Sequence, residues 1–223
     1  TAFLVIALLV TSLVSVPALA EDDDYDKVIR LAGASRYLTA VEVSKEAYEE
    51  GADTVIIAAG ENFPDALAAS ALAGELKAPI LLAEKDGFRA GTLEEIERLG
   101  ATKAIVLGGE KALGEEVDAL LVEAGLKVTR IAGENRYETA ALIAEEVLDG
   151  GKEVFLVNGD EPWDALAIGP VAAREGIPVL LTKAGALRDE TKAFLVDNGI
   201  KTVTILGGEK AVSAAARNQI PAG

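Results

Sequence analysis

The sequence contains no cysteine and no histidine among its 223 residues. The absence of cysteine excludes disulfides, thiolate nucleophiles and cysteine zinc sites. The absence of histidine removes the commonest general base and the commonest metal ligand. Much of enzyme chemistry is thereby excluded, and we expect neither a metal nor another cofactor.

Basic residues are also scarce, because 21 Lys and Arg stand against 37 Asp and Glu, which gives a formal charge of −16. Attraction to nucleic-acid phosphates needs clustered positive charge, so nucleic acid is a poor partner. A few local arginines can still bind an anionic polymer. Aromatic residues make up only 4% of a chain that is half apolar, which favours helices packed on buried aliphatic strands.

The N-terminal segment is apolar from Ala2 to Val16, continues with Pro17 and ends in a small-residue pattern from Ala18 to Ala20. This order predicts a secretion signal over residues 1–20, truncated at its start, followed by an acidic linker over 21–27. A transmembrane anchor is the alternative, but the apolar run falls short of the roughly 20 residues that a bilayer requires. We therefore expect a secreted protein without stable membrane insertion after cleavage.

The rest of the chain repeats itself after 99 or 100 residues. Three pairs of segments match at this offset: Arg30 to Ala40 (RLAGASRYLTA) with Arg130 to Ala140 (RIAGENRYETA), Asp65 to Ala68 with Asp164 to Ala167 (both DALA), and Leu107 to Ala112 with Leu206 to Ala211 (both LGGEKA). A fixed period of this kind indicates tandem structural repeats. We assign copy 1 to residues 28–128 and copy 2 to residues 129–223, with copy 2 incomplete at its C-terminal end.

Short apolar runs alternate with helical patterns in each copy. The predicted strands are Thr54 to Ala59, Pro79 to Leu82, Lys103 to Leu107, Lys127 to Ile131, Val154 to Val157, Pro178 to Leu181 and Thr202 to Leu206. Runs that are apolar on both faces are typical of central parallel strands covered by helices. The predicted fold class is α/β, with two tandem Rossmann-like repeats, each a parallel sheet flanked by helices.

Ser35 and Asn135 are expected to cap helices at their N-termini. Pro170 is expected to kink or restart the helix in which it lies.

The order of these motifs resembles the cell wall-binding type 2 repeats of Gram-positive surface proteins. Each copy carries R-x-x-G-x-x-R-Y-x-T-A, a strand, a DAL segment, a buried strand like the I-L-L element of that family, and L-G-G-x-x-A. The resemblance implies non-covalent attachment of a surface protein to an anionic secondary wall polysaccharide, without catalysis. It also implies three repeats in tandem, so we expect a third repeat beyond Gly223, or another chain, to pack against these two.

Candidate polymer-binding residues come from the motifs near the ends of the strands. They are Arg36, Tyr37, Asn62 and Asp65 in copy 1, and Arg136, Tyr137 and Asp164 in copy 2. A guanidinium suits phosphate or carboxylate oxygens, a tyrosine ring suits a sugar face, and a carboxylate accepts sugar hydroxyls or holds a bridging cation. In copy 2, Glu161 and Trp163 replace Asn62 and Pro64, which predicts an altered site.

Each candidate also has a structural alternative. The arginines are equally expected to pair with Asp65 or Asp164 and fix helix packing. A tyrosine at a helix start is more often a packing residue, and an aspartate there can stabilise the helix terminus. The glycine pairs after the strands are explained by tight turns, because neither copy contains a phosphate-binding fingerprint.

Two other functions are compatible with the sequence. Doubly wound α/β folds often bind nucleotides or small ligands beyond the carboxyl ends of their strands, so an enzyme domain is one alternative. A structural repeat that only spaces a functional domain from the envelope is the other.

Overall fold

The computed structural model describes residues 28–221, so the predicted secretion signal (1–20) and acidic linker (21–27) lie outside the described residues. Residues from Leu31 onward form one compact unit. Its copy 1 elements are α1 (Arg36–Ala47), β1 (Thr54–Ala59), α2 (Pro64–Ala68), α3 (Ser70–Leu76), β2 (Ile80–Ala83), α4 (Thr92–Leu99), β3 (Lys103–Leu107), α5 (Glu115–Glu123) and β4 (Lys127–Ile131). Copy 2 contributes α6 (Arg136–Val147), β5 (Glu153–Asn158), α7 (Trp163–Glu175), β6 (Val179–Thr182), α8 (Asp189–Asp197), β7 (Thr202–Ile205) and α9 (Ala214–Arg217).

Two separate parallel sheets confirm the predicted α/β architecture. The first has the order β2-β1-β3-β4 and the second the order β6-β5-β7. All seven predicted strands are present with ends within one residue of the prediction. Strand β4 crosses the assigned boundary at residue 128, and all five of its residues pair with β3. The link into copy 2 is therefore built into the sheet of copy 1.

The two copies share one hydrophobic core. Alternate residues of β1, such as Ile56 and Ala58, and of β5, such as Phe155 and Val157, enter the same buried cluster with helices α2, α3, α6 and α7. The opposite faces of the two sheets are covered by separate clusters, one within each copy. Both central strands are thus buried on both faces, which explains their continuous apolar sequences.

Ser35 and Asn135 cap helices α1 and α6, as the sequence predicts. Ser35 Oγ accepts a hydrogen bond from the Leu38 amide at 3.4 Å, and Asn135 Oδ1 accepts from the Tyr137 and Glu138 amides at 3.0 and 3.2 Å. Both residues have extended backbone angles, as N-caps normally do. These caps fix where the two RY pairs begin their helices.

Of the two predicted effects of Pro170, a kink or a restart of the helix, the restart is not found. Helix α7 runs without interruption through Pro170, whereas the corresponding helix of copy 1, which has Ala71 at the equivalent position, is divided at Ala69 into α2 and α3. The Ser70 hydroxyl donates to the Leu67 carbonyl oxygen at 2.9 Å, and such local bonds compete with regular helix hydrogen bonds.

Along residues 28–221, none of the helices has both the length and the apolar character needed to cross a bilayer.

Candidate functional site

A groove of about 720 Å³ lies between the two copies. Its copy 1 side consists of Asn62, Pro64 and Asp65 after β1, and of residues 108–112 after β3. Its copy 2 side is the segment that leads from Arg130 to Thr139, at the end of β4 and the start of α6. Parallel strands end at the same edge of a sheet, so the turns after β1, β3 and β4 meet there.

Asp65 places a buried carboxylate at this groove. It is only 9% exposed, and no described residue donates a hydrogen bond to its carboxylate. Burial raises the pKa of Asp65 above its usual value, and the charge of Arg136 acts in the opposite direction. Because a buried carboxylate without hydrogen-bond donors is costly, fold stability alone does not explain an aspartate at this position.

The glycine turn after β3 is shaped around this carboxylate. A Cβ atom added at Gly108 would lie 2.6 Å from Asp65 Oδ2, and Gly108 has a φ of +88° that favours glycine. In copy 2 a Cβ at Gly207 would likewise collide with Asp164 Oδ2. The DALA and LGGEKA motifs therefore recur together because the aspartate of one packs on the first glycine of the other.

Arg136 faces Asp65 across the junction. Its Nη1 donates to the carbonyl oxygen of Gly159 at 2.7 Å and lies 3.7 Å from Asp160 Oδ1, and its side chain is 37% exposed. The expected pairing with Asp164 of the same copy is not found, since the ion pair of Arg136 is with Asp160. One nitrogen is thus anchored, and the remaining guanidinium donors make no hydrogen bond to the part of the chain that the structure describes.

Arg36 makes the equivalent anchor in copy 1 but does not line this groove. Its Nη1 donates to the carbonyl oxygen of Gly60 at 2.8 Å, and the residue is exposed. Asp164 is half-buried in the first turn of α7 and also lies outside the groove. The groove therefore combines Asn62 and Asp65 of copy 1 with Arg136 of copy 2.

Tyr37 and Tyr137 are buried, with 4% and 6% exposure. Their hydroxyls donate to Glu61 Oε1 at 2.8 Å and Asp160 Oδ1 at 3.1 Å, and their rings lie against Gly60 and Gly159. This burial favours a packing role for both tyrosines over the sugar contact predicted from the sequence. In each RY pair, the arginine and the tyrosine together hold the glycine turn after the central strand.

Arg130, the first arginine of the repeated motif, stabilises the backbone at the edge of the groove through several hydrogen bonds. Its guanidinium donates to the carbonyl oxygens of Gly108, Leu113 and Gly114 at 2.7, 3.0 and 3.3 Å, and to Asp118. These bonds hold the turn after β3 and the start of α5. The side chain is 21% exposed, so most of its donors are already used.

Sequence reasoning missed several groove residues. Lys111, Glu110, Glu134 and Asn135 all line the groove, and Lys111 adds a positive charge opposite Arg136. Lys111 lies within the repeated LGGEKA segment, so its recurrence was a usable signal. Within residues 28–221, no group of three or more acidic side chains is placed to hold a metal ion.

The structure consists of two tandem α/β repeats with a polar groove at their junction. The sequence model of the cell wall binding domain 2 (CWB2) family matches residues 30–118 and 130–217. The chain belongs to this family, and cell wall anchoring is the role that this membership supports.

Known proteins agree with this assignment. The N-acetylmuramoyl-L-alanine amidase LytC of Bacillus subtilis (strain 168) is 33% identical over 196 residues, which cover 88% of this chain and 39% of the amidase. The structure of Cwp6 from Clostridium difficile matches with a TM-score of 0.80 and 33% identity over 85% of this chain and 30% of Cwp6. Cwp8 from the same organism matches with a TM-score of 0.77 and 34% identity over 87% of this chain and 34% of Cwp8. The chain thus spans about a third of each of these proteins.

Proposed function

We propose that the chain anchors a secreted protein to the bacterial cell wall by binding an anionic secondary wall polysaccharide in the groove between its copies. The observation that carries this proposal is the buried Asp65, whose carboxylate receives no hydrogen bond from residues 28–221, facing the guanidinium of Arg136. A sugar hydroxyl supplies the hydrogen-bond donor that Asp65 lacks, and an acidic group on the polymer accepts from Arg136 and Lys111. The ligand therefore carries hydroxyl and anionic groups close together.

The proposal covers binding and not catalysis. Any enzymatic activity of the whole protein would belong to segments outside the two repeats, as would a secretion signal at residues 1–20. A third repeat, or another chain, is proposed to pack against copies 1 and 2. The proposed location is the cell wall at the cell surface.

The test is sedimentation of the full chain with purified Gram-positive walls, before and after removal of wall polysaccharides with peptidoglycan left intact. We expect binding to the untreated walls and its loss after removal. Binding that survives the removal would contradict the polysaccharide assignment. Thermal-shift measurements with nucleotides test the enzyme alternative, and a chain that responds to neither walls nor nucleotides would be a spacer.

Arg136→Ala should weaken wall binding about tenfold or more, because hydrogen bonds to charged groups contribute about 1.5–3 kcal/mol. Arg36→Ala is the matched control, since Arg36 makes the same bond to a glycine carbonyl but lies outside the groove. Wall-binding isotherms at low protein concentration should separate the two variants. An equal loss in both would mean that the arginines act only through the fold.

A further inference from the structure

Arg188 and Glu190 form an ion pair beside the start of α6, the helix that brings Arg136 to the groove. Arg188 immediately precedes α8, and Glu190 lies in the first turn of that helix. Arg188 Nη2 donates to Glu190 Oε1 at 3.1 Å, and the two side chains are 34% and 21% exposed. Neither residue lines the groove, so an effect of this pair on binding must pass through residues that do.

Glu190 contacts the residue that precedes Arg136 in the chain. The side-chain amide of Asn135 donates from Nδ2 to Glu190 Oε1 at 2.7 Å. This bond leaves Asn135 Oδ1 free to cap α6, and it fixes the amide at the wall of the groove, which Asn135 lines. Glu190 thereby ties the first turn of α8 to the N-terminus of α6.

Arg188 contacts the residue that follows Arg136. Its guanidinium carbon lies 4.9 Å from the centre of the Tyr137 ring, within the range of a cation–π contact. The hydroxyl of Tyr137 donates to Asp160 Oδ1 at 3.1 Å, and the same oxygen lies 3.7 Å from Arg136 Nη1. A line of contacts thus runs from Arg188 to the guanidinium of Arg136.

Copy 1 repeats the cation–π contact but not the ion pair. Arg89, the counterpart of Arg188, lies 5.8 Å from the centre of the Tyr37 ring. It pairs instead with Glu84, which directly follows β2, and these two side chains are 57% and 41% exposed. The copy 1 pair is therefore more open to solvent, where ion pairs contribute little.

The link to the helix cap belongs to copy 2 alone. Gly91 stands where copy 2 has Glu190, and Ser35 stands where it has Asn135. A glycine has no side chain that could reach the cap of α1. Stability does not account for the link in copy 2, since Arg188 Nε and Glu190 Oε2 are buried and have no hydrogen-bond partner within residues 28–221. The difference between the copies coincides with the groove, which the start of α6 lines and the start of α1 does not.

We propose that Arg188 and Glu190 are positioning residues for the ligand of the groove. They hold both chain neighbours of Arg136 and thereby keep its guanidinium directed at the bound anionic group. A guanidinium that is held in place before binding loses less side-chain freedom when the ligand binds, so the pair raises affinity without touching the ligand. The role in affinity rests on the proposed function, whereas the positioning of Arg136 rests on the contacts within copy 2.

NMR relaxation of the arginine Nε–H groups in the isotope-labelled full chain tests the positioning without any ligand. The signal of Arg136 is the one that Arg136→Ala removes. Its order parameter should fall in Arg188→Ala and in Glu190→Ala, because the neighbours of Arg136 are then less restrained. Arg89→Ala and Glu84→Ala, the matched pair in copy 1, should leave it at the wild-type value. An Arg136 signal that stays as ordered in the copy 2 variants as in the wild type would overturn the proposal.

Wall-binding isotherms test the consequence for affinity. Glu190→Ala should weaken binding at least about threefold, a typical size for coupling between contacting residues. The same change should have no further effect in the Arg136→Ala background, because it acts through that arginine. Unchanged binding in Glu190→Ala, or an equal loss in both backgrounds, would overturn the role in affinity. If the wild type fails to bind walls while Arg136 loses order in the copy 2 variants, the proposed function fails and the positioning stands.

Discussion

Asp65 is a residue at which stability and binding are expected to conflict. Because burial raises the pKa of this carboxyl, its ionisation destabilises the folded state as pH rises through and above its ordinary range. Asp65→Asn should therefore increase the free energy of unfolding at neutral pH and weaken wall binding. The gain in stability should vanish below about pH 3.9, where the wild-type carboxyl is neutral as well.

Urea unfolding at neutral and acidic pH, together with wall-binding isotherms, checks this prediction. Asp164→Asn is the matched control, because Asp164 is half-buried and does not line the groove. A destabilised Asp65→Asn variant would show that the carboxylate makes a favourable contact in the folded protein. Asp65 would then be a structural residue.

The sequence pointed to three of the residues that line the groove but not to their grouping. Asn62, Asp65 and Arg136 are all recognisable from repeated motifs, yet the motifs relate each residue to its own copy. The groove joins Asp65 to the arginine of the following copy, because β4 completes the first sheet before α6 begins. A repeat period in the sequence shows which residues of the two copies are equivalent, but not which residues of different copies lie in contact.

At the scale of elements, the sequence predicted the strands well because buried parallel strands are distinctive. It missed a polar link between α1 and α4. Glu95, which is 1% exposed, accepts from Ser44 Oγ at 2.6 Å and from Arg98 Nε at 2.7 Å. In copy 2 the corresponding residues are Ala144, Phe194 and Asp197, so no repeat signal marks the link.

Glu95→Gln should lower the free energy of unfolding by about 1.5–3 kcal/mol at neutral pH, the usual contribution of hydrogen bonds to a charged group. Burial acts to raise the pKa of Glu95, but the bonds from Arg98 and Ser44 outweigh it and hold the pKa below its usual value. The stabilisation is therefore present above about pH 4.3 and is lost as pH falls through the lowered pKa. Urea unfolding at several pH values measures the loss.

The control for this prediction is Glu97→Gln on the same helix, where the side chain is exposed. It should change the stability by less than about 0.5 kcal/mol at any pH. If Glu95→Gln differs from the wild type as much at acidic pH as at neutral pH, the link owes its strength to packing and not to charge.

At the scale of the whole molecule, the shared core predicts that both copies unfold together. The central cluster takes residues from both sheets, so neither copy can expose its side of this cluster without affecting the other. Ile143 is 1% exposed in that cluster, and Ile143→Ala should lower the free energy of unfolding by about 2–5 kcal/mol. Val43→Ala changes the corresponding residue of α1, which is 48% exposed, and should cost less than about 0.5 kcal/mol.

Unfolding followed by far-UV circular dichroism and by the fluorescence of Trp163, the single tryptophan, distinguishes joint from independent unfolding. Trp163 reports on copy 2, whereas circular dichroism reports on both copies. Because the core is common, the two transitions should coincide in the wild type and shift together in Ile143→Ala. Two separate transitions, with Ile143→Ala moving only the one that Trp163 detects, would mean that each copy folds on its own and that the groove between them is a contact of preformed domains.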